Sequence, residues 1–386
     1  MTTLLISLLI PLVLAELLKG LSANGTPPIL QSFRWQMGLA WIMWTNIGWL
    51  RVAFWGGILA ALALSFSWLG LGLTLALGLI WFGIYWIFNH YWVGRVKFLP
   101  IEQKLWVTAD ENDVAEGVQV IGLDINGVQK AFPVAMLFYH HQISDEVGGQ
   151  PVWATYCGLC RSGRVYDAEV GGEALDFTLI GAITYNAVFR DRQTGTWWRQ
   201  ETGEAAKGKL AGTQLKDIWA EQMSLQNWLS KHPDSLILQY DPKFMGTYQF
   251  LTKLLAYEAS LPGWHRQETP PLVIGLEVAG QARAYDFNEL KKRRLVTDQL
   301  AQTPLLILSD GAESAFAYDR SLEGQVLDFE LADEALKDLQ TGSTWDLFGR
   351  CTAGKLQGKE LRALRSYPQF LRSWIDFHAH TTFYEF

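Results

Sequence analysis

Apolar side chains dominate residues 1–92 almost without interruption, whereas beyond about residue 105 apolar and polar positions alternate. Two apolar stretches, Val52–Trp68 and Gly70–Trp92, have the length a helix needs, about 20 residues, to cross a ~30 Å hydrocarbon core. The intervening Ser67–Gly72 region supplies a tight turn, so the two are expected to form a hairpin. A third stretch, Leu4–Leu18, is shorter. It lacks the basic leader and small-residue cleavage site of a secretory signal and is read as a span. Gly38–Leu50 is apolar and aromatic but contains Thr45 and Asn46, which suits an interfacial helix. Residues 1–98 are therefore expected to form about three transmembrane helices.

Further on the pattern is mostly strand. Val118–Ile125 and Val128–Val134 alternate about Asn126-Gly127, a strong hairpin signal. Pro133–His141 suits one or two helical turns and Pro151–Tyr156 a buried strand. Gly163–Val170 and Ala174–Ile180 flank Gly171-Gly172 as a second hairpin. Trp219–His232 reads as an amphipathic helix ending at Pro233.

The chain also resembles itself. Val120–Gly127 is similar to Val273–Gly280 at a shift of 153, and Leu175-Asp176-Phe177 to Leu327-Asp328-Phe329 at 152. Gln193–Gly195 aligns with Gln340–Gly342 at 147; Trp228 and His232 align with Trp374 and His378 at 146. A shift that shrinks by small steps is what loop deletions after a tandem duplication produce. The reading is thus an α-helical transmembrane segment followed by a mainly-β α+β region of two degenerate repeats. Repeat one spans 105–240, a connector 241–269, and repeat two 270–386.

Charge sharpens the division. Residues 1–92 hold only four charged side chains, Glu16, Lys19, Arg34 and Arg51, and nine of the 18 tryptophans. Charges are costly in hydrocarbon, and Trp favours membrane interfaces. The remainder carries 38 acidic against 29 basic side chains, which argues against a nucleic-acid partner.

Candidate chemistry sits on one side of the duplication. Repeat one has Thr155-Tyr156-Cys157-Gly158-Leu159-Cys160, where repeat two has Leu308-Ser309-Asp310-Gly311-Ala312-Glu313. If both copies fold alike, the fold does not need the cysteines, and they are better read as a site. His140 and His141 follow the same asymmetry, falling over Arg293 and Arg294. His232 and His378 persist in both copies and read as structural. Cys157 and Cys160 are close enough to form a disulfide. In a redox role, one exposed cysteine attacks a protein partner as thiolate, the other resolves the mixed disulfide, and His140 handles charge or proton. That role needs no cofactor. Two thiolates with His140 and His141 also make a soft copper or zinc site. A static disulfide within a non-enzymatic scaffold is the third reading. Arg161 and Arg164 are candidates for nearby positive charge, or for a solvated turn. Asp191-Arg192-Gln193-Thr194-Gly195 reads as a turn with its own ion pair, and Asn186 and Arg192 are candidates to line the cysteine site. Cys351 has no counterpart and reads as a plain buried residue.

These motifs resemble those of the domain of unknown function 3179 family. The resemblance is carried by Tyr139–Asp145 with His140, by Thr155–Cys160 with Gly158 in place of the family's proline, and by Asp191, Arg192, Thr194, Gly195, Trp198, Gln200 and Thr202–Ala205. It covers roughly residues 105–386 and brings no known activity. Some of that family are described as selenoproteins, which implies thiol or selenol redox chemistry. Many look secreted or lipid-anchored, which implies an extracytoplasmic domain. Lys19, Arg34 and Arg51 before the second span, and Arg95 and Lys97 after the last, point the other way under the positive-inside rule. A fourth span at Gly38–Leu50 would weaken that argument. The expectation is an integral protein of a bacterial inner (plasma) membrane, partnered by the bilayer, with its soluble part extracytoplasmic.

Overall fold

The computed structural model describes residues 2–23, 35–260, 272–332 and 335–386. Three long helices open the chain: α1 (Thr2–Ala23), α2 (Gln36–Leu64) and α3 (Trp68–Trp86). A π-helical turn, Ile87–Tyr91, prolongs α3, and a short α4 (Gly94–Lys97) follows. Next come β1 (Trp106–Val107), the hairpin β2 (Gln119–Ile125) and β3 (Val128–Pro133), and α5 (Val134–His140). A meander follows of β4 (Gln142–Val147), β5 (Gln150–Cys157) and β6 (Ser162–Asp167). A small hairpin, β7 (Glu169–Val170) and β8 (Glu173–Ala174), leads to β9 (Phe177–Ile183), β10 (Asn186–Asp191), β11 (Trp197–Arg199) and β12 (Ala205–Lys207). Then β13 (Glu221–Ser224), α6 (Leu225–Lys231), β14 (Leu236–Leu238) and α7 (Met245–Ser260) close this half.

The second half runs β15 (Leu272–Val278), β16 (Gln281–Asp286), α8 (Phe287–Arg293), β17 (Leu295–Leu300), β18 (Thr303–Ser309) and β19 (Ala315–Asp319). After β20 (Ser321–Leu322) and β21 (Gln325–Val326) come β22 (Phe329–Ala332), β23 (Ala335–Asp338), β24 (Thr344–Trp345) and β25 (Cys351–Ala353). It ends with β26 (Arg362–Leu364), β27 (Ser366–Phe370), α9 (Leu371–Phe377) and β28 (Thr382–Phe383). These elements gather into two compact units, Met1–Leu99 with Leu175–Leu215, and Pro100–Ala174 with Lys216–Phe386.

In the first unit, three helices are long and apolar enough to cross a membrane: Thr3–Ala23, Gln36–Leu64 and Trp68–Tyr91. The expected split between an interfacial Gly38–Leu50 and a span at Val52–Trp68 is corrected, because one 29-residue helix covers the first and runs through the second as far as Leu64. Thr45 and Asn46 do not interrupt it. The Thr45 hydroxyl donates to Trp41 O and the Asn46 amide to Ile42 O, each at 2.8 Å, so the helix satisfies them itself. At ~1.5 Å per residue this helix is longer than the ~30 Å of a hydrocarbon core. The turn is also tighter than expected, with Ser67 capping α3 by accepting from Gly70 N at 3.0 Å.

Two charges of this segment, Glu16 and Arg51, are paired. Arg51 donates to both carboxylate oxygens of the fully buried Glu16, at 3.0 and 2.6 Å, and the Asn89 amide adds a third bond at 2.7 Å. Such saturation is what a carboxylate needs to persist among apolar helices. Arg34 lies outside the described residues. The same unit holds the antiparallel sheet β12-β11-β10-β9. Ile180, Ile183, Val188 and Trp197 of that sheet pack with Ala23, Met37 and Ala40 of the helices. Trp197 stands edge-on to Trp41 and Trp44.

In the second unit, one sheet runs β1-β14-β3-β2-β13 and another β27-β15-β16-β28. The meander β4-β5-β6 and the sheet β17-β18-β19-β26 complete the framework. Trp228 lies flat on Gly122, where a Cβ would stand 2.3 Å from the ring; Trp374 lies on Gly275 with 2.4 Å. Val120, Trp228 and Ile237 share one core with Leu306, Tyr318, Trp345 and Cys351.

Three further expectations change. Trp219–His232 is strand then helix, because β13 pairs with β2 and Ser224 caps α6 by accepting from Asn227 N. The Gly171-Gly172 hairpin is only two residues deep, since β6 pairs with β5 and β9 with β10. Much of the supposed connector, 241–269, is helix α7; residues 261–271 lie outside the described residues.

Candidate functional site

The two cysteines close the β5/β6 hairpin. β5 is buried along nearly its whole length and ends at Cys157, which faces Ser162 across the ladder. Between them the chain turns through Gly158, Leu159, Cys160 and Arg161, with Cys160 N donating to Cys157 O at 3.1 Å. Arg161 takes the left-handed conformation, φ 55°, that lets β6 begin. The turn brings the two Sγ atoms to 2.8 Å, so a shift of under 1 Å in either side chain reaches the ~2.05 Å of a disulfide bond.

Position 158 has a specific shape. A Cβ there would stand 1.4 Å from Cε2 of Phe138, so the α5 ring occupies the space that any larger residue, proline included, would need. Phe138 also meets Tyr156 edge-on. The last turn of α5 thus packs onto the cysteine turn from one side. From another side, Phe370 N of β27 donates to Cys160 O at 2.8 Å. Cys157 is 2% exposed and Cys160 fully buried, while Leu159 at the tip is 56% exposed. The expectation of an exposed attacking thiolate is corrected, because Phe138 and β27 close over the turn.

His140 ends α5 and is also buried. Its Nε2 is hydrogen-bonded to the Tyr248 hydroxyl at 2.6 Å, inside an aromatic cage with Tyr139 and Phe244. Burial, then the charge of Asp241, pushes the Tyr248 phenol far above its ordinary range, so it stays protonated. Asp241 is itself buried, which would raise its pKa. Backbone N–H groups of Glu102, Gln103 and Lys243, with His140, outweigh burial and hold it below the usual carboxylate range. His141 follows in the left-handed conformation (φ 63°), its Nδ1 bonded to Phe138 O at 2.7 Å. Burial lowers its pKa to about 4, so it is neutral near pH 7. The His141 carbonyl accepts from Tyr156 N at 3.1 Å, which sets the two-histidine turn one residue from Cys157 along the ladder.

Neither arginine of the hairpin is on a solvated turn. Arg161 and Arg164 are 5% and 7% exposed, and Arg161 Nη1 donates to the Leu255 carbonyl of α7 at 2.7 Å. Helix α7 therefore holds both His140 and Arg161. Tyr248, Asp241 and α7 were missed in the sequence. The one signal for them was Asp241-Pro242, a capping acid followed by proline ahead of a helix.

Among the described residues, no group of three His, Cys, Asp or Glu side chains stands together as metal ligands. Cys157, Cys160, His140 and His141 accordingly do not form the soft copper or zinc set that their spacing suggested.

The remaining candidates belong to the sheet β12-β11-β10-β9. Asn186 is fully buried, its amide donating to Gln200 Oε1 at 3.0 Å and its oxygen accepting from Glu201 N at 3.1 Å. Asp191 makes no ion pair with Arg192, contrary to expectation. Its carboxylate accepts from Thr194 N and Oγ1, Gly195 N, Thr196 N and Trp198 Nε1, which leaves it no free lone pair direction. Asp338 makes the same bonds to Thr341, Ser343 and Trp345 in the second half. Arg192 is exposed. His232 packs tilted against Trp228 and His378 stacks on Trp374, a structural use.

A family described as a protein of unknown function, DUF3179, matches residues 100–381. No curated protein and no solved structure matches the chain.

Proposed function

The chain belongs to the DUF3179 family, and from that premise we propose that it is a membrane-tethered dithiol module working by thiol–disulfide exchange at Cys157 and Cys160. The observation that carries the reading is the pair of sulfurs at 2.8 Å on a turn whose neighbours, Gly158 and Phe138, are fitted to each other. In the exchange, one thiolate attacks a partner disulfide and expels the partner's first thiolate. The second cysteine, losing its proton, then attacks the mixed disulfide and releases the partner as dithiol. Two electrons pass to the partner, and the two protons lost by the cysteines balance the two its thiolates take up. Because both sulfurs are buried, exchange requires the Leu159 tip to lift. His140, tied to Tyr248, is the candidate to take the first proton.

We infer further that residues 105–240 and 270–386 are tandem copies. Support comes from the matching order of hairpin, helix, meander, short hairpin, four-stranded sheet, strand and helix, and from Trp228 on Gly122 against Trp374 on Gly275. In that reading the second copy keeps the turn without its thiols, since Ser309, Asp310 and Ser314 bond one another there.

The soluble residues are read as cytoplasmic. With three spans, Lys19, Arg95 and Lys97 share one end of the helices, and the Ser65–Ser67 turn at the other end has no charge. This reverses the face expected from the resemblance, and it makes the resting pair reduced.

Alkylation trapping of the full-length protein tests the redox reading. It predicts a two-electron interconversion in the wild type and none in Cys157→Ser or Cys160→Ser. A pair that alkylates identically under oxidising and reducing buffers would overturn it.

A further inference from the structure

The first unit contains a cavity of about 310 Å³ that the cysteine chemistry does not use. Its walls come from the ends of α1 and the π-helical turn, from α4, and from strands β9 and β10. Polar lining residues are Lys19, Asn89, Arg95, Arg190, Asp191 and Arg192. The one acid among them, Asp191, has its oxygens filled by five donors of its own turn. Four cationic groups therefore face a space with no available counter-charge.

Lys19 is the most telling. It is 4% exposed, lies 4.5 Å over the Trp44 ring, and its ammonium donates to the neutral Asn89 Oδ1. Glu16, the nearest acid of α1, is taken by Arg51 and by the Asn89 amide. Burying an ammonium whose hydrogen-bond partner is neutral is expensive. The π-helical turn, where Trp92 N reaches back five residues to Ile87 O, carries Asn89, and such turns mark functional sites more often than chance. Arg190 and Arg192 are exposed, and among the described residues neither guanidinium has a hydrogen-bond partner. They are two residues apart on and just beyond β10, so both can turn to the same face.

We propose that this cavity binds a phosphate group, with Lys19, Arg190 and Arg192 as its charge partners and Arg95 at its rim. The phosphate comes either from the headgroup of an anionic phospholipid or from a soluble phosphate compound. Phe88, Val93 and Ile180 supply the apolar part of the lining, which suits the glycerol and upper chain of a lipid. The position at the span ends is where headgroups lie.

The test uses full-length protein in a mild detergent, titrated separately with phosphatidylglycerol, phosphatidylcholine and inorganic phosphate. Native mass spectrometry and thermal unfolding are the readouts. Saturable binding of phosphatidylglycerol over phosphatidylcholine identifies a lipid source; saturable binding of inorganic phosphate identifies a soluble one. In either case Lys19→Gln should weaken binding at least tenfold, as should the pair Arg190→Gln and Arg192→Gln, which lies on the exposed side and leaves folding intact. Failure of every probe to saturate overturns the proposal. So does unchanged affinity in the arginine pair.

Discussion

At the residue scale, the site depends on complementary shapes as much as on reactive groups. Gly158 and Phe138 occupy what would otherwise be one volume, so Gly158→Ala should destabilise the protein by about 2 kcal/mol through overpacking. Combining it with Phe138→Ala should recover part of that loss in a double-mutant cycle, read by chemical denaturation. His141 gives a second prediction. Its folded pKa of about 4 lies below the unfolded value of 6.5, so the unfolded chain binds a proton first as pH falls. Its contribution is intact above pH 6.5 and fades between 6.5 and 4, by about 3 kcal/mol. His141→Asn, which tolerates the left-handed backbone, should flatten the pH dependence of unfolding across that window. The cysteine pair was legible in the sequence because residues 155–160 carry it and the similar stretch 308–313 does not. Tyr248 was not, because its partner His140 is 108 positions away and a phenol carries no motif.

At the element scale, strands announced themselves where turn chemistry was explicit. Asn126 at φ 52° and Gly127 at φ 80° make the two-residue turn that joins β2 to β3, as the Asn-Gly pair implied. Helix α2 was misread because Thr45 and Asn46 look polar in one dimension and are self-satisfied in three. Helix α7 was hidden inside a stretch read as a connector, yet it holds the site by two bonds, Tyr248 to His140 and the Leu255 carbonyl to Arg161. Tyr248→Phe removes the first and leaves a buried imidazole nitrogen without that partner. It should cost about 1–3 kcal/mol and increase the alkylation rate of Cys157 and Cys160 in the native protein. A variant with unchanged stability and alkylation would show that α7 is not a support for the site.

At the scale of the whole molecule, three helices long and apolar enough to cross a membrane precede the family region, and Glu16 and Arg51 are paired among them. The number of spans fixes the topology. Reporter fusions at the C-terminus and within the Ser65–Ser67 turn should give the cytoplasmic signal at the first and the opposite signal at the second. The inverse pattern would put the dithiol in an oxidising compartment and leave it resting as a disulfide. The account is most directly tested by trapping Cys157 and Cys160 with an alkylating mass tag in native membranes, across a graded thiol redox buffer. It predicts one reversible two-electron step within the span of cellular thiol couples, about −120 to −300 mV, with Cys351 unreactive throughout. Two free thiols at every potential, or a disulfide that survives strong reductant, would contradict it.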